Sequence, residues 1–148
     1  MAIVNLRQLD PLDVADELVE AHRDEPGWLD ELAEALDRHR AGQALGRILR
    51  VWGLSQSEAA DLFGVTRQAV GKWLATGVPA ARVRAAADLA AATDLLIRHV
   101  KRDRIPAVVR RHAAALGEKS LVELVAASRT RDVLEACRSM FDFERAHE

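Results

Sequence analysis

An all-α fold is what this sequence predicts, and three observations lead there. Alanine is abundant, tyrosine is absent and long β-branched runs are missing, a balance that favours helices over strands. Apolar residues recur at three- and four-residue spacing through most of the chain. Proline, glycine and small polar residues stand at the joints of those periodic stretches, where helices start and stop. With 148 residues, 49% of them hydrophobic, the chain suits one domain, or a small domain with an appendage, and can fill a core.

The elements follow in order. Asp10 is a candidate N-cap, with Pro11 at the first helical position and Asp13 in the first turn, so a helix should run to about Ala21 or His22. A second helix is expected from Pro26, with Trp28, Leu29, Leu32 and Leu36 on one face, fading near Arg40–Gly42. The pair forms an acidic helical hairpin, because residues 1–40 hold 4 Lys/Arg against 11 Asp/Glu. Its acidic surface reads either as a solvated face or as a docking surface or DNA mimic.

Residues 44–52 continue a helical pattern through Leu45, Ile48, Leu49 and Trp52, and Gly53 stops it. Arg47 and Arg50 on this stretch suit a solvated helix face or contact with phosphate, and both readings stay open. Two short helices come next, ending near Gly77-Val78-Pro79. From Pro79 to about Asp103, Val83, Ala86, Leu89, Ala90, Leu96, Ile97 and Val100 predict one long helix. Arg98, Lys101, Arg102 and Arg104 complement the dipole at its end, and Ile105-Pro106 breaks it. Residues 107–143 read as two or three short helices around Leu116-Gly117 and Ser128–Thr130. One carries Leu121, Leu124 and Val125. The other carries Val133, Leu134, Cys137, Met140 and Phe141 on one face. The organisation expected is therefore an acidic extension (1–43), a central domain with a long following helix (44–103) and a helical C-terminal region (104–148).

Several function classes are disfavoured. No apolar stretch approaches the roughly 18 residues of a membrane span, and the start lacks the basic and apolar blocks of a signal peptide, so a cytoplasmic protein is expected. Cys137 is the single cysteine, which leaves no internal disulfide and no cysteine pair for a metal; a small buried hydrophobe is its expected role. The five histidines are scattered without metal-ligand spacing, and no cofactor motif is present. No His-Glu-x-x-His, phosphate-binding glycine loop or nucleophile context occurs, so the chain is not expected to be an enzyme. The net charge of −2 conceals an uneven distribution: residues 41–82 hold 5 Lys/Arg against 2 Asp/Glu, and residues 83–148 hold 12 against 10. A chain with its acidity gathered at one end can present a basic surface elsewhere.

The stretch "LSQSEAADLFGVTRQAVGKWL", Leu54 to Leu74, carries the most specific signal. Ser55 can cap a helix, and Glu58 three residues on can close a capping box. Ala60 is small enough for two helices to cross closely. Gly64, four residues later, tolerates the left-handed backbone that a tight turn needs. Ala59, Phe63, Val65, Val70 and Trp73 supply the apolar positions that bracket the turn and recur on the second helix. With Val65, Val70 and Trp73 inward, Arg67, Gln68, Gly71 and Lys72 point outward. Arginine can make paired hydrogen bonds to guanine and glutamine to adenine, while Lys72, one turn on, suits a phosphate. Thr66 is a natural N-cap whose hydroxyl, with the free amides behind it, can hold a phosphate.

This stretch resembles the helix-turn-helix of the Cro/Xre-type repressors, whose pattern Gln-x-x-x-Ala-x-x-x-Gly-Val-x-x-x-x-Val-x-x-Trp is filled by Gln56, Ala60, Gly64, Val65, Val70 and Trp73. The resemblance implies that the helix from Thr66 to about Leu74 lies in the major groove of double-stranded DNA, with Gln56 near the backbone. The DNA-binding residues it marks are Gln56, Thr66, Arg67, Gln68, Gly71 and Lys72. Such motifs act in pairs, so a homodimer is expected, with recognition helices about 34–36 Å apart. Residues 44–143 further resemble the Xre/MbcA/ParS antitoxins: Leu116-Gly117-Glu118-Lys119-Ser120-Leu121 occupies that family's turn and Thr130 to Phe141 its final helix. Leu121 stands where proline is common in that turn, and Val108–Val109 replace a frequent tryptophan. That resemblance implies a RES-type toxin as partner, bound through the C-terminal region, and repression of the chain's own operon. The competing reading is a protein-interaction module in which the helix-turn-helix is only architecture.

Overall fold

The computed structural model describes residues 8–146, which form eight α-helices without a named strand. The all-α expectation holds. The helices are α1 (Pro11–Ala21), α2 (Pro26–Trp52), α3 (Gln56–Phe63), α4 (Arg67–Thr76), α5 (Val83–His99), α6 (Ile105–Arg110), α7 (Leu121–Ala126) and α8 (Thr130–Ala146). Contacts divide the chain into two compact units, Met1–Leu36 and Asp37–Glu148. The second unit holds α3 to α8 and the latter part of α2.

The first unit is built from local signals. The Asp10 carboxylate accepts the Leu12 amide at 2.8 Å and Pro11 opens α1, as its fixed φ and missing N–H allow. His22 stacks on Trp28 with ring centroids 3.4 Å apart and planes 9° from parallel. No side chain of α1 is buried, and Leu12 and Val19 lie 75% and 54% exposed.

The second unit holds the core, in two clusters. One gathers Ile48 and Trp52 of α2, Leu89 and Leu96 of α5, and Val133 and Cys137 of α8. The other joins Leu45 and Leu49 of α2 to Ala59 and Ala60 of α3 and Val70 and Trp73 of α4. Each large side chain buried this completely contributes about 1.5–3 kcal/mol. Where a polar group enters, it is satisfied: the Trp52 indole donates to Thr93 Oγ1 at 3.0 Å, and that hydroxyl donates to the Leu89 carbonyl at 2.7 Å. Cys137 is fully buried, and burial pushes its thiol up to about 11.

Four features differ from the sequence reading. The helix expected to fade near Arg40–Gly42 runs on without a break to Trp52. Gly42 does not end it; a Cβ there would lie 2.5 Å from the Trp73 carbonyl oxygen and 3.0 Å from Gly77 Cα, so the glycine is where two backbones meet. The long helix expected from Pro79 to Asp103 is shorter. A 3-10 turn at Ala80–Arg82 precedes α5, which ends at His99, and Lys101, Arg102 and Arg104 stand exposed beyond it. Pro106 starts α6 instead of merely ending its predecessor, because a missing N–H costs nothing in a first turn. Met140, expected on the buried stripe of α8, is 40% exposed at its margin, while Val133, Leu134, Cys137 and Phe141 are buried.

Candidate nucleic-acid interface

α3 and α4 are set by caps the sequence carries in place. Ser55 Oγ accepts the Glu58 amide at 3.1 Å. α3 ends in a left-handed Gly64 at φ +65°, whose N–H bonds to the Asp61 carbonyl at 3.3 Å while the Val65 N–H reaches the Ala60 carbonyl at 3.0 Å. Those two bonds satisfy carbonyls that a helix end otherwise leaves open. Thr66 then opens α4, its hydroxyl accepting the Ala69 amide at 3.1 Å.

Packing fixes which face of α4 turns out. Val70 and Trp73 are buried, and Trp73 meets Phe63 edge to face at 6.0 Å between centroids. The Arg82 guanidinium lies over the Trp73 ring at 5.0 Å and closes this cluster from the far side of the turn after α4. The Gly42–Gly77 approach and a reciprocal pair of bonds hold the end of α4 to α2. Arg38 Nε donates to the Val78 carbonyl at 2.8 Å, and the Val78 N–H donates to the Arg38 carbonyl at 3.2 Å. Gly77 has φ +106°, a conformation that side chains other than glycine rarely adopt.

With those positions inward, Arg67, Gln68 and Lys72 are exposed and Gly71 is half-buried. Neither Arg67 nor Lys72 enters an ion pair among the described residues. Gln56, exposed at the first turn of α3, turns its Oε1 toward α4, 3.5 Å from where a Cβ of Gly71 would stand. Thr66 is engaged as the cap. The six residues singled out in the sequence therefore lie on α3, α4 and their junction, and Gln56 meets the outer face of α4 directly.

Three arginines hold this region and carry no sequence signal for it. Arg82 and Arg38 act as just described. Arg110 of α6 donates to the Trp52 carbonyl at 2.8 Å and the Gly53 carbonyl at 2.9 Å, and reaches Glu58 of α3 at 3.4 Å. Its partners are remote in sequence, so only the folded chain brings them together. Arg47 pairs with Asp94 of α5, whereas Arg50, one turn on, is exposed and enters no ion pair among the described residues.

Two surface grooves lie in the second unit. One of about 490 Å³ lies between α2, the start of α3 and α4. The other, about 890 Å³, lies among α6, α7, α8 and the turn before α7, with Val108, Leu116, Leu121 and Met140 among its apolar lining. Ser120 sets the start of α7 beside it, accepting the Glu123 amide at 3.1 Å, and Glu123 pairs with His112. No cluster of three metal-ligating side chains occurs among the described residues, and none of their helices is long and apolar enough to cross a membrane.

The class defined by this architecture is an all-α chain with two short, capped helices at its surface. Its fold is similar to that of a chain in the crystal structure of the M. tuberculosis MbcT–MbcA toxin–antitoxin complex. There 21% of residues are identical, with 67% of this chain and 91% of that chain covered and a TM-score of 0.55. No family model and no curated protein matches the sequence. At that identity the likeness is one of fold.

Proposed function

We propose that the chain is a sequence-specific DNA-binding repressor that acts as a homodimer and serves as the antitoxin of a toxin–antitoxin pair. The observation that carries the DNA-binding part is the outer face of α4. Arg67, Gln68 and Lys72 stand exposed beside a glycine, on a helix whose opposite face is buried through Val70 and Trp73. Arginine and glutamine at the start of such a helix have the donor and acceptor geometry to read guanine and adenine, and Lys72 is placed one turn further for a phosphate. Gln56 and the Thr66 junction then face the DNA backbone. In this reading the chain has no catalytic step, uses no cofactor and works in the cytoplasm.

The antitoxin part is supported by the likeness of fold to a chain of a toxin–antitoxin complex and by the apolar groove of α6–α8. A RES-type toxin is the partner this reading assigns, with neutralisation by coverage of a toxin surface. A purely architectural role for α3 and α4 is the second reading. Solvent-facing Arg67 and Lys72, which enter no ion pair among the described residues, argue against it.

Fluorescence anisotropy with the promoter of the chain's own gene and with scrambled duplex, over a salt series, tests the reading. A preference of about a thousandfold or more for the promoter is expected, with a salt slope that reports the phosphates contacted. Absence of binding to either duplex would overturn the DNA-binding assignment.

A further inference from the structure

The groove of about 490 Å³ between α2, α3 and α4 has a chemical character unlike that of the larger one. Its polar lining consists of Gln43, Arg50 and Gln56, and its apolar lining of Leu49, Leu54 and Leu74, together with Gly42 and Gly46 of α2. No carboxylate lines it. The larger groove, by contrast, mixes Arg111, Lys119 and Arg129 with Asp132 and Glu135. The smaller groove thus offers hydrogen-bond donors, one positive charge and apolar surface, and no negative charge.

The backbone opens the groove for Arg50. Gly46 lies one turn before it on α2, and Arg50 Nη1 lies 3.4 Å from where a Cβ at position 46 would stand. The guanidinium therefore folds back along α2, toward the groove, in a space that a side chain at 46 would crowd. Leu74 Cδ2 lies 3.6 Å from the same point, so the α4 side of the groove is close. Gln56 borders both this groove and Gly71 on the outer face of α4. Arg47 offers the contrast: one turn away, its charge is already engaged by Asp94.

We infer that this groove is a site for one backbone unit of duplex DNA, with Arg50 as its anchoring cation. A phosphodiester has two unprotonated oxygens, and a guanidinium presents paired N–H groups that match them. The amides of Gln43 and Gln56 supply further donors, and the leucines suit the apolar face of the adjoining deoxyribose. The inference rests on the DNA-binding reading and assigns a phosphate-gripping residue on α2, outside the two helices on which that reading was built. Because the contact is to the backbone, it adds affinity without adding sequence preference.

The test compares wild type, Arg50→Ala, Arg50→Lys and Arg47→Ala for binding to promoter and scrambled duplex across a salt series. Circular dichroism confirms that each variant is folded. Arg50→Ala should weaken both duplexes by the same factor, about five- to tenfold near 0.1 M salt, and reduce the salt slope by about 1. Arg50→Lys should restore most of that slope, and Arg47→Ala should leave it unchanged. If Arg50→Ala is unfolded, Arg50→Lys and Arg50→Gln make the same comparison of one charge kept and one removed. An unaltered slope in a wild-type protein that does bind DNA overturns this site and leaves the DNA-binding reading standing. A loss confined to the promoter assigns Arg50 to base reading and also overturns the site. Failure of wild type to bind any duplex removes the DNA-binding reading, and this site with it.

Discussion

The outer face of α4 and the first half of α8 handle their charges in opposite ways. On α4, Arg67 and Lys72 face solvent with no partner among the described residues. Around the first half of α8, charges are matched locally: Arg129 with Asp132, Arg131 with Glu135, and Arg138 with Glu135. Exposed pairs of that kind contribute little to stability, about 0–1 kcal/mol each. Those pairs line one wall of the apolar groove, whose other charged lining, Arg111 and Lys119, is exposed and enters no ion pair among the described residues. A polar helix face with free cations suits a polyanion; a groove with apolar lining and paired charges on one wall suits a protein.

The strongest way to break that contrast is to remove the polar reach of α4. Arg67→Ala with Gln68→Ala should cost about 1–3 kcal/mol of base discrimination per residue, hence a loss of promoter preference of at least about thirtyfold. Anisotropy against promoter and scrambled duplex measures it, and unchanged preference would return α4 to an architectural role. At the other region, the buried thiol of Cys137 provides a stability test. Its pKa is raised by burial from 9.0 to about 11, so the folded state holds a proton that the unfolded chain releases. The stability due to this shift is fully present below pH 9 and is lost as pH rises through about 11, in all about 3 kcal/mol. Urea unfolding of wild type and Cys137→Val between pH 8 and 11 should show the wild type alone losing that increment.

A smaller effect is expected at the joint that aims α4. Gly42→Ala puts a methyl group against the Trp73 carbonyl, and overpacking against backbone costs about 1–3 kcal/mol. Denaturant midpoints read the loss, and a neutral result would show that α2 and α4 separate easily. Smallest are the caps. Thr66→Ala and Ser120→Ala should each cost about 1 kcal/mol, and only the first should also weaken DNA binding. Equal effects of both on anisotropy would dissolve the functional division between the regions.

What was legible in the sequence was local. Ser55, Gly64 and Thr66 act on backbone groups within a few residues of themselves, so their caps and turn follow from order alone. The inward set of Val70 and Trp73, and with it the outward set of Arg67, Gln68 and Lys72, follows from helical period. Gly42 was misread because the same absence of a side chain can end a helix or admit a second backbone, and its neighbour, the Trp73 carbonyl, arrives only on folding. Pro106 was misread for a related reason, since one proline can close one helix and open the next. The tasks of Arg38, Arg82 and Arg110 were not legible, because an arginine's stem reaches several ångströms and its partner has no required spacing.

Arg110 has a consequence for how the molecule opens. A helix of six residues, such as α6, would ordinarily fray on its own, with amide exchange far faster than global unfolding. Here one guanidinium donates to the carbonyls of Trp52 and Gly53 at the end of α2 and touches α3, so releasing α6 leaves those carbonyls without their donor at the same moment. Opening of α6 is therefore coupled to the end of α2, and whatever seats against α6 acts on the lifetime of that joint.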